Sequence, residues 1–349
     1  DLHSFPTRRS SDLRFLTSTI ILGFYAVVAG WCLQYLFASV VGTLHGDAQY
    51  VADYFNSFAT NPWKPCLWAV AFILMTHVVI VRGVRRGIER ASKILMPLLL
   101  VLLVVIVIAS CSLPGAWEGV TFLFHPDFSR VTHSTLLDAL GQAFFSLSLG
   151  TACLCTYASY FSRDTHLLRA ASQIAFIDLA IAILSGLMIF PAVFSVSVEP
   201  SQGPSLIFVT LPNVFQQAFG AVPLLGRVIA ILFYALLVFA ALTSTISMHE
   251  IGTAFFTEEL HLPRRHSAWI LTTVCSVLAV LCSLSMGAVE GLSVLGQPLL
   301  DFFDNLTAKF MLPLGGLLTS IFIGWFANQR NVRHEFTNGG TVARRLFNR

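Results

Sequence analysis

One carboxylate lies inside an apolar stretch of the chain. Asp178 is surrounded by isoleucine, alanine, phenylalanine and leucine over residues 174–182. It falls about ten residues into a predicted helix, which at about 1.5 Å per residue places it roughly 15 Å from the helix end. Because a lone carboxylate at that depth of a bilayer is costly, it must face a cation, a hydrogen-bond donor or water. We interpret Asp178 as a cation ligand, with an acid satisfied by a neighbouring serine or threonine as the alternative.

Hydroxyl groups form a second cluster, in the run Ala240-Ala241-Leu242-Thr243-Ser244-Thr245-Ile246-Ser247. Oxygen atoms are the ligands that hard cations prefer. Small hydroxyl residues also pack membrane helices together. Composition favours neither interpretation of this cluster.

The stretch 141–151 predicts a broken helix. Ser146, Ser148, Gly150 and Thr151 take positions where an ordinary spanning helix carries leucine or valine. A membrane helix can loosen only where the freed backbone groups line a cavity and do not face lipid. Such a break near the bilayer midplane indicates a transporter's binding site.

Two further acids, Asp301 and Asp304, lie near the outer end of the last apolar segment. Acids near a helix N-terminus compensate the helix dipole, which is the simplest explanation for both. Lys309 is positioned to pair with a carboxylate elsewhere. The pattern assigns no role to His249 or Glu250.

The composition indicates one polytopic α-helical membrane domain and excludes an ordinary soluble enzyme. The 349 residues are 56% hydrophobic and 11% charged, with a mean hydropathy of +0.76. Soluble domains carry about 25% charged residues. The 7 cysteines lie in or beside apolar segments without metal-ligand spacing, so we interpret them as packing residues. No feature predicts a nucleic-acid partner.

Apolar segments long enough to span a bilayer recur along the chain. The spans are predicted at 14–42, 66–83, 91–113, 137–160, 168–197, 223–255, 268–286 and 298–327. Residues 1–13 are polar, and we interpret them as a junction outside the transmembrane domain, 14–327. Residues 199–222 are too apolar for a simple linker and predict a re-entrant or capping hairpin.

Positive charge sets the predicted topology. Most of the 21 lysines and arginines lie in the connections 82–93, 161–169 and 256–267 and in the tail 328–349, whereas the alternate connections hold Lys64, Arg130 and Arg227. Positive loops are cytoplasmic. Both ends of the chain are therefore predicted on the cytoplasmic side of the cell's inner (plasma) membrane, with 328–349 as a basic tail.

Several motifs together resemble the neurotransmitter:sodium symporter family, and especially its bacterial amino-acid transporters. They are Val27-Val28-Ala29-Gly30-Trp31, Gly87-Ile88-Glu89-Arg90-Ala91-Ser92-Lys93, the stretch 141–150 followed by Thr156-Tyr157-Ala158-Ser159-Tyr160, Phe208-Val209-Thr210-Leu211-Pro212, and Leu242-Thr243-Ser244-Thr245-Ile246-Ser247. The resemblance implies a partial inverted-repeat, leucine-transporter-like fold, all-α with about eight transmembrane helices. These would be family helices three to ten, without the first two and those after the tenth.

The resemblance also implies site residues. Substrate contacts would come from Val28, Phe145, Ser146, Ser148, Thr151, Ser244 and Met248. One sodium ion would be bound by Ser146 and Asp178, and a second by Ala240, Thr243 and Ser244. Asp304 would be the acid of the extracellular gate.

Three positions depart from the family pattern. Cys32 stands where a tyrosine of the leucine transporter touches the substrate carboxylate. Asp178 replaces the usual asparagine, and its charge beside sodium predicts that chloride is not required. Thr151 replaces a large aromatic residue, which predicts a roomier or more polar pocket. Nothing matches the first family helix, Gly-Asn-x-Trp-Arg-Phe-Pro, so we expect the chain as given to hold incomplete sites.

The predicted function is sodium-coupled symport of an amino acid or related amine, with the lipid bilayer and a small substrate as partners and a homo-oligomer left open. No catalytic residue is predicted. The alternatives are an inactive fragment or non-transporting relative, an ion channel, and an intramembrane hydrolase using Ser148 with His249.

Overall fold

The computed structural model describes residues 5–44, 46–82, 85–151, 166–195, 206–219, 222–289 and 291–337, and most of these residues are helical. The α-helices, in order, are α1 (Phe5–Val41), α2 (Ala48–Ala59), α3 (Lys64–Arg82), α4 (Arg85–Cys111), α5 (Ala116–Phe124), α6 (His133–Ser146), α7 (Leu167–Ser195), α8 (Leu206–Ala218), α9 (Pro223–Glu259), α10 (Arg264–Leu284), α11 (Leu299–Leu306), α12 (Leu312–Ile321) and α13 (Gln329–Phe336). The shorter elements are a 3₁₀ turn at Phe128–Arg130, an antiparallel pair β1 (Ser293–Val294) and β2 (Gln297–Pro298), and π-helical turns at Thr307–Met311 and Phe322–Phe326.

The described helices include 7 stretches long and apolar enough to cross a membrane. They are Phe15–Val41, Lys64–Arg82, Ser92–Cys111, Leu167–Ser195, Pro223–Glu259, Arg264–Leu284 and Leu299–Phe326. Each matches a predicted span. In the remaining predicted span, 137–160, α6 ends at Ser146, within the stretch 141–151 that the sequence predicts to be broken. Residues 152–160 of that span, with the motif 156–160, lie outside the described part of the chain.

The sequence interpretation missed two short helices. α2 has 12 residues and α5 has 9, both too short to span a bilayer. α2 begins where the Asp47 carboxylate accepts a hydrogen bond from the Tyr50 amide at 2.8 Å, and it buries Val51, Phe55 and Phe58. An N-cap followed by an apolar face is the pattern that predicts such a helix.

Two other boundaries differ from expectation. α1 begins at Phe5, so the first helix already includes residues 5–13 of the polar segment. Within the predicted hairpin 199–222, the described residues form α8, whose residues 208–215 are buried.

The chain divides into two compact units. Unit 1 comprises residues 1–21, 131–180 and 304–349. In it, α6 packs on the π-helical turn Thr307–Met311 and on α12. The approach is close, because a side-chain carbon added at Gly141 would lie 2.8 Å from the carbonyl oxygen of Ala308.

Unit 2 comprises residues 22–130 and 181–303. Its helices α3, α9 and α10 pack against one another, and α8 packs on α2, α4 and α9. Aromatic rings fill part of its core, with the ring centroid of Tyr35 lying 5.0 Å from that of Phe208 and 5.4 Å from that of Tyr234. Both units therefore have their own packed interior, and each carries part of the predicted site.

Candidate sodium and substrate sites

The predicted helix break is present in unit 1. α6 ends at Ser146, and the chain turns through residues 147–151. Two residues of the turn have left-handed backbone conformations, Ser148 with φ 53° and Gly150 with φ 83°. Such a conformation is uncommon for a residue other than glycine and is concentrated at functional sites.

The same turn explains why position 150 is glycine. A side-chain carbon there would lie 2.4 Å from the carbonyl oxygen of Leu312 in α12. Thr151 completes the turn, because its hydroxyl donates a hydrogen bond to the carbonyl of Ser148 at 2.9 Å. Thr151 is 4% exposed, and its hydroxyl stabilises the turn, whereas its predicted substrate contact stays a prediction.

The structure brings the two predicted side-chain ligands of the first sodium ion together. The Ser146 hydroxyl donates a hydrogen bond to the Asp178 carboxylate, joining the end of α6 to α7. This contact is the hydrogen bond that the alternative interpretation of Asp178 requires. It also places a hydroxyl and a carboxylate oxygen side by side, as a shared cation site requires.

Phe145, Asp304 and Lys309 also lie in unit 1. Phe145 is half-buried on the last turn of α6, beside Ser146. Asp304 is half-buried on α11, and its carbonyl accepts a hydrogen bond from the Thr307 hydroxyl at 3.1 Å. Lys309 pairs with Asp138 of α6 at 2.6 Å, which confirms the expectation that this lysine finds a carboxylate elsewhere.

The predicted second sodium site lies in unit 2, on continuous helix α9. The Thr243 hydroxyl donates to the Ala240 carbonyl at 2.7 Å, so these two predicted ligand oxygens are in contact. Ser244, which follows Thr243 in the sequence, is exposed. Neither oxygen of Thr243 and Ala240 carries a formal charge.

The hydroxyl cluster of α9 separates into two groups. The Thr245 and Thr76 hydroxyls are 2.9 Å apart, joining α9 to α3 in the core of unit 2. Thr245 is thus a packing residue, whereas Ser244 is exposed. The packing interpretation therefore holds for Thr245, whereas the ligand interpretation of Thr243 and Ser244 stays a prediction.

Sequence reasoning missed Tyr25 in α1. Its side chain is half-buried and forms a hydrogen bond with that of Ser244. The sequence did contain a pattern that predicts this position, since Tyr25, Val28 and Cys32 are spaced i, i+3, i+7 and share one helix face. Val28 is half-buried and Cys32 is buried, whereas Met248 is half-buried one turn beyond Ser244 on α9.

His249 has a structural environment that disfavours the hydrolase alternative. Its Nε2 lies 2.9 Å from the Thr272 hydroxyl and its Nδ1 lies 3.1 Å from the Thr253 hydroxyl. The Thr272 hydroxyl also contacts the Nδ1 of His77 at 2.8 Å. Because both ring nitrogens of His249 contact threonine hydroxyls, it is not placed as the base of a serine nucleophile.

These features define a class of protein. Several helices long enough to span a membrane, together with a helix that ends where a hydroxyl meets a carboxylate of one of these spans, are typical of a secondary transporter. The family model described as "Sodium:neurotransmitter symporter family" matches residues 59–347. The chain therefore belongs to the sodium:neurotransmitter symporter family, as its motifs predicted.

Similar proteins agree with this assignment. An "Uncharacterized sodium-dependent transporter YhdH" of Bacillus subtilis is 37% identical over 331 residues, which are 94% of this chain and 72% of that protein. An "Uncharacterized sodium-dependent transporter" of Haemophilus influenzae is 32% identical over 311 residues, 87% of this chain and 67% of that protein.

A solved structure, MhsT in complex with L-phenylalanine, superposes with a TM-score of 0.89 at 38% identity. The match covers 96% of this chain and 75% of that one. The predicted fold, an all-α polytopic membrane protein of the leucine-transporter type, is confirmed, and so is the predicted activity class, sodium-coupled symport. The roles of the individual site residues stay predictions.

Proposed function

We propose that this symporter carries an amino acid or a related amine, driven by the inward sodium gradient. The observation that carries the proposal is the hydrogen bond between Ser146 and Asp178. In this contact a hydroxyl and a carboxylate oxygen lie side by side at the end of α6, which supports a sodium ion and a substrate bound next to each other. The likeness to MhsT, which was solved with L-phenylalanine, supports an amino acid as the substrate.

Coupling follows from the position of Ser146. An ionised carboxylate inside the membrane is stabilised by a cation, so a sodium ion at Asp178 is strongly favoured over an empty site. Sodium held by Asp178 and Ser146 fixes the end of α6 and hence the turn that carries Ser148. Because binding free energies are reciprocal, a sodium ion that raises the substrate affinity is itself bound more tightly when substrate is present.

The second sodium ion is proposed on α9. The carbonyl of Ala240 and the hydroxyls of Thr243 and Ser244 are its ligands. Tyr25, through its contact with Ser244, orients that hydroxyl. Val28 and Met248 are proposed as apolar contacts of the substrate, as the family resemblance implies.

Transport needs no bond to be made or broken, so we propose no enzymatic activity. Rocking of the bundle that contains the broken helix exposes the ions and substrate first to the outside and then to the cytoplasm. The proposed location is the inner membrane, with the positively charged connections on the cytoplasmic side. Asp304 closes the outer gate, with its arginine partner on the first family helix. Because Asp178 supplies a fixed negative charge beside sodium, transport does not require chloride.

The proposal is tested by uptake into proteoliposomes. Labelled L-phenylalanine is offered with an inward gradient of sodium or, as the matched control, of potassium, each with chloride or gluconate as the anion. We expect saturable uptake with sodium only, equal in both anions. Uptake that is the same with potassium, or that is linear with concentration, contradicts symport and favours a channel.

A further inference from the structure

A cavity in unit 2 is lined by none of the residues that are proposed to bind sodium and substrate. Its volume is about 230 Å³. The end of α1, the following residues up to Leu44, α8 and the first turns of α9 form its walls. The lining is mainly apolar, and the residues that matter here are Ser39, Gly42, Phe215, Phe219, Arg227 and Ala230.

Arg227 is the cation of this cavity. Its Nε donates to the Ser39 carbonyl at 3.2 Å and its Nη2 donates to the Val40 carbonyl. These carbonyls belong to the last turn of α1, where backbone oxygens lack helical partners and the helix dipole favours a cation. In the described part of the chain these two oxygens are the hydrogen-bond partners of Arg227, and neither comes from an acid.

The guanidinium of Arg227 has more N–H donors than its two carbonyl partners use. An arginine side chain carries about five N–H donors in a planar fork. The carbonyls of Ser39 and Val40 occupy one on Nε and one on Nη2, which leaves Nη1 for a further acceptor. Carboxylates match the fork geometry better than any neutral acceptor. The charge and the free donors therefore point to an anionic group.

The walls of the cavity are held in place without a ligand. The Gln216 side chain donates to the Leu44 carbonyl at 2.8 Å and accepts from the Gly46 amide at 3.1 Å, which fixes α8 to the segment after α1. α8 also meets α9 closely, since a side-chain carbon at Gly226 would lie 2.7 Å from the carbonyl oxygen of Phe215. Preformed, mainly apolar cavities with one well-placed charged group are typical of small-molecule sites.

We propose that this cavity binds a small apolar monocarboxylate. Its carboxylate lies on the free N–H groups of Arg227, and its apolar body lies against Phe215 and Phe219. At about 30 Å³ per water molecule, the space equals roughly eight waters, which limits the ligand to a short chain or a single ring. Such a ligand contacts α1, α8 and α9 at once, and its binding stabilises their arrangement increasingly as its concentration exceeds its Kd.

The probe for a direct test is 3-phenylpropionate, measured by saturation-transfer NMR on the protein in detergent without sodium. We expect saturable binding that L-phenylalanine does not displace. The neutral analogue 3-phenylpropanol should bind at least about tenfold more weakly, because it cannot form the charge-assisted pair. Displacement by L-phenylalanine would place the probe in the substrate site and overturn the proposal.

Two variants test the charge of Arg227 and the volume of the cavity separately. Arg227→Gln removes the charge, and Ala230→Leu fills the cavity while it leaves Arg227 in place. Arg227→Gln should weaken binding of 3-phenylpropionate by about tenfold or more because a charged hydrogen bond is lost. Ala230→Leu should weaken it to a similar extent because the larger side chain takes up the ligand's space. Lys64→Gln, which removes a positive charge from the exposed start of α3, is the matched control and should bind normally.

Arg227→Gln also removes the cap of α1, so this variant has a risk of misfolding. Ala230→Leu and the neutral analogue then decide the question on folded protein. Wild-type binding by Ala230→Leu, or equal binding of 3-phenylpropionate and 3-phenylpropanol, would overturn the proposal.

Discussion

The two proposed sodium sites differ in how their oxygens are supplied. In unit 1, a membrane-embedded carboxylate, Asp178, meets Ser146 at a point where the helix ends and the backbone turns. In unit 2, the Ala240 carbonyl and the Thr243 hydroxyl lie in contact on an unbroken helix, with no formal charge. The first site attracts sodium mainly through charge, and the second through the arrangement of neutral dipoles. Loss of a ligand should therefore be far more damaging in unit 1.

The largest expected effect is that of Asp178→Asn, which keeps the shape of the side chain and removes its charge. The sodium concentration for half-maximal uptake should rise on the order of 100-fold, the upper end of typical coupling energies, unless chloride restores the charge. The measurement is labelled L-phenylalanine uptake against sodium, with and without chloride. Asp138→Asn, an exposed acid of the same unit, is the control. Unchanged transport without any chloride requirement in Asp178→Asn would contradict the charge argument.

A smaller but clear effect is expected on the turn that forms the first site. Gly150→Ala places a side chain on a residue with φ 83° and within 2.4 Å of a backbone oxygen. Strain of this kind costs about 1–3 kcal/mol, so the melting temperature of the protein in detergent should fall. Gly324→Ala is the matched control, because nothing lies within 4 Å of the added carbon. Equal melting temperatures would mean that the turn is free to rearrange.

In unit 2, Thr243→Val and Thr245→Val make the same chemical change at neighbouring positions. A hydrogen bond to a neutral group is worth about 1 kcal/mol. Thr243→Val should therefore weaken sodium activation by roughly fivefold. Thr245→Val should leave sodium activation unchanged and lower only the thermal stability, because its hydroxyl contacts Thr76. The opposite result, with sodium affinity lost in Thr245→Val alone, would exchange the roles assigned to the two threonines.

The smallest effect is expected from Lys309→Met. The ion pair with Asp138 is short at 2.6 Å, but the two side chains are 36% and 51% exposed. Exposed pairs contribute about 0–1 kcal/mol. Thermal stability should change by no more than a few degrees, and sodium activation should stay the same. A large loss of sodium-dependent uptake would show that this pair holds α6 in its transport-competent position.

The sequence predicted the spans and the break after α6, because each rests on a strong local signal. Apolar length specifies spanning helices, and a polar group at membrane depth requires a partner. The motif resemblance supplied the pairing of α6 with α7, which no local pattern contains.

Other features depend on packing that a pattern does not contain. The division of the α9 hydroxyls into Thr245, which contacts Thr76, and Thr243, which contacts Ala240, depends on which face of α9 meets α3. The contact of the Thr151 hydroxyl with the Ser148 carbonyl could not be read from the sequence, because it depends on how the turn satisfies its backbone groups, and the predicted substrate contact of Thr151 stays a prediction. The spacing of Tyr25 from Val28 could have identified Tyr25 as a residue of the same helix face. It was missed because a tyrosine in an apolar helix is also a common core residue.

The most direct test of the comparison is equilibrium binding of radioactive sodium to the wild-type protein, Asp178→Ala and Thr243→Val. The two-site account predicts that Asp178→Ala loses one component of sodium binding and retains the other. Thr243→Val should keep both components, one of them weakened. An Asp178→Ala protein that binds sodium with wild-type stoichiometry and affinity would contradict the proposal that Asp178 is a sodium ligand.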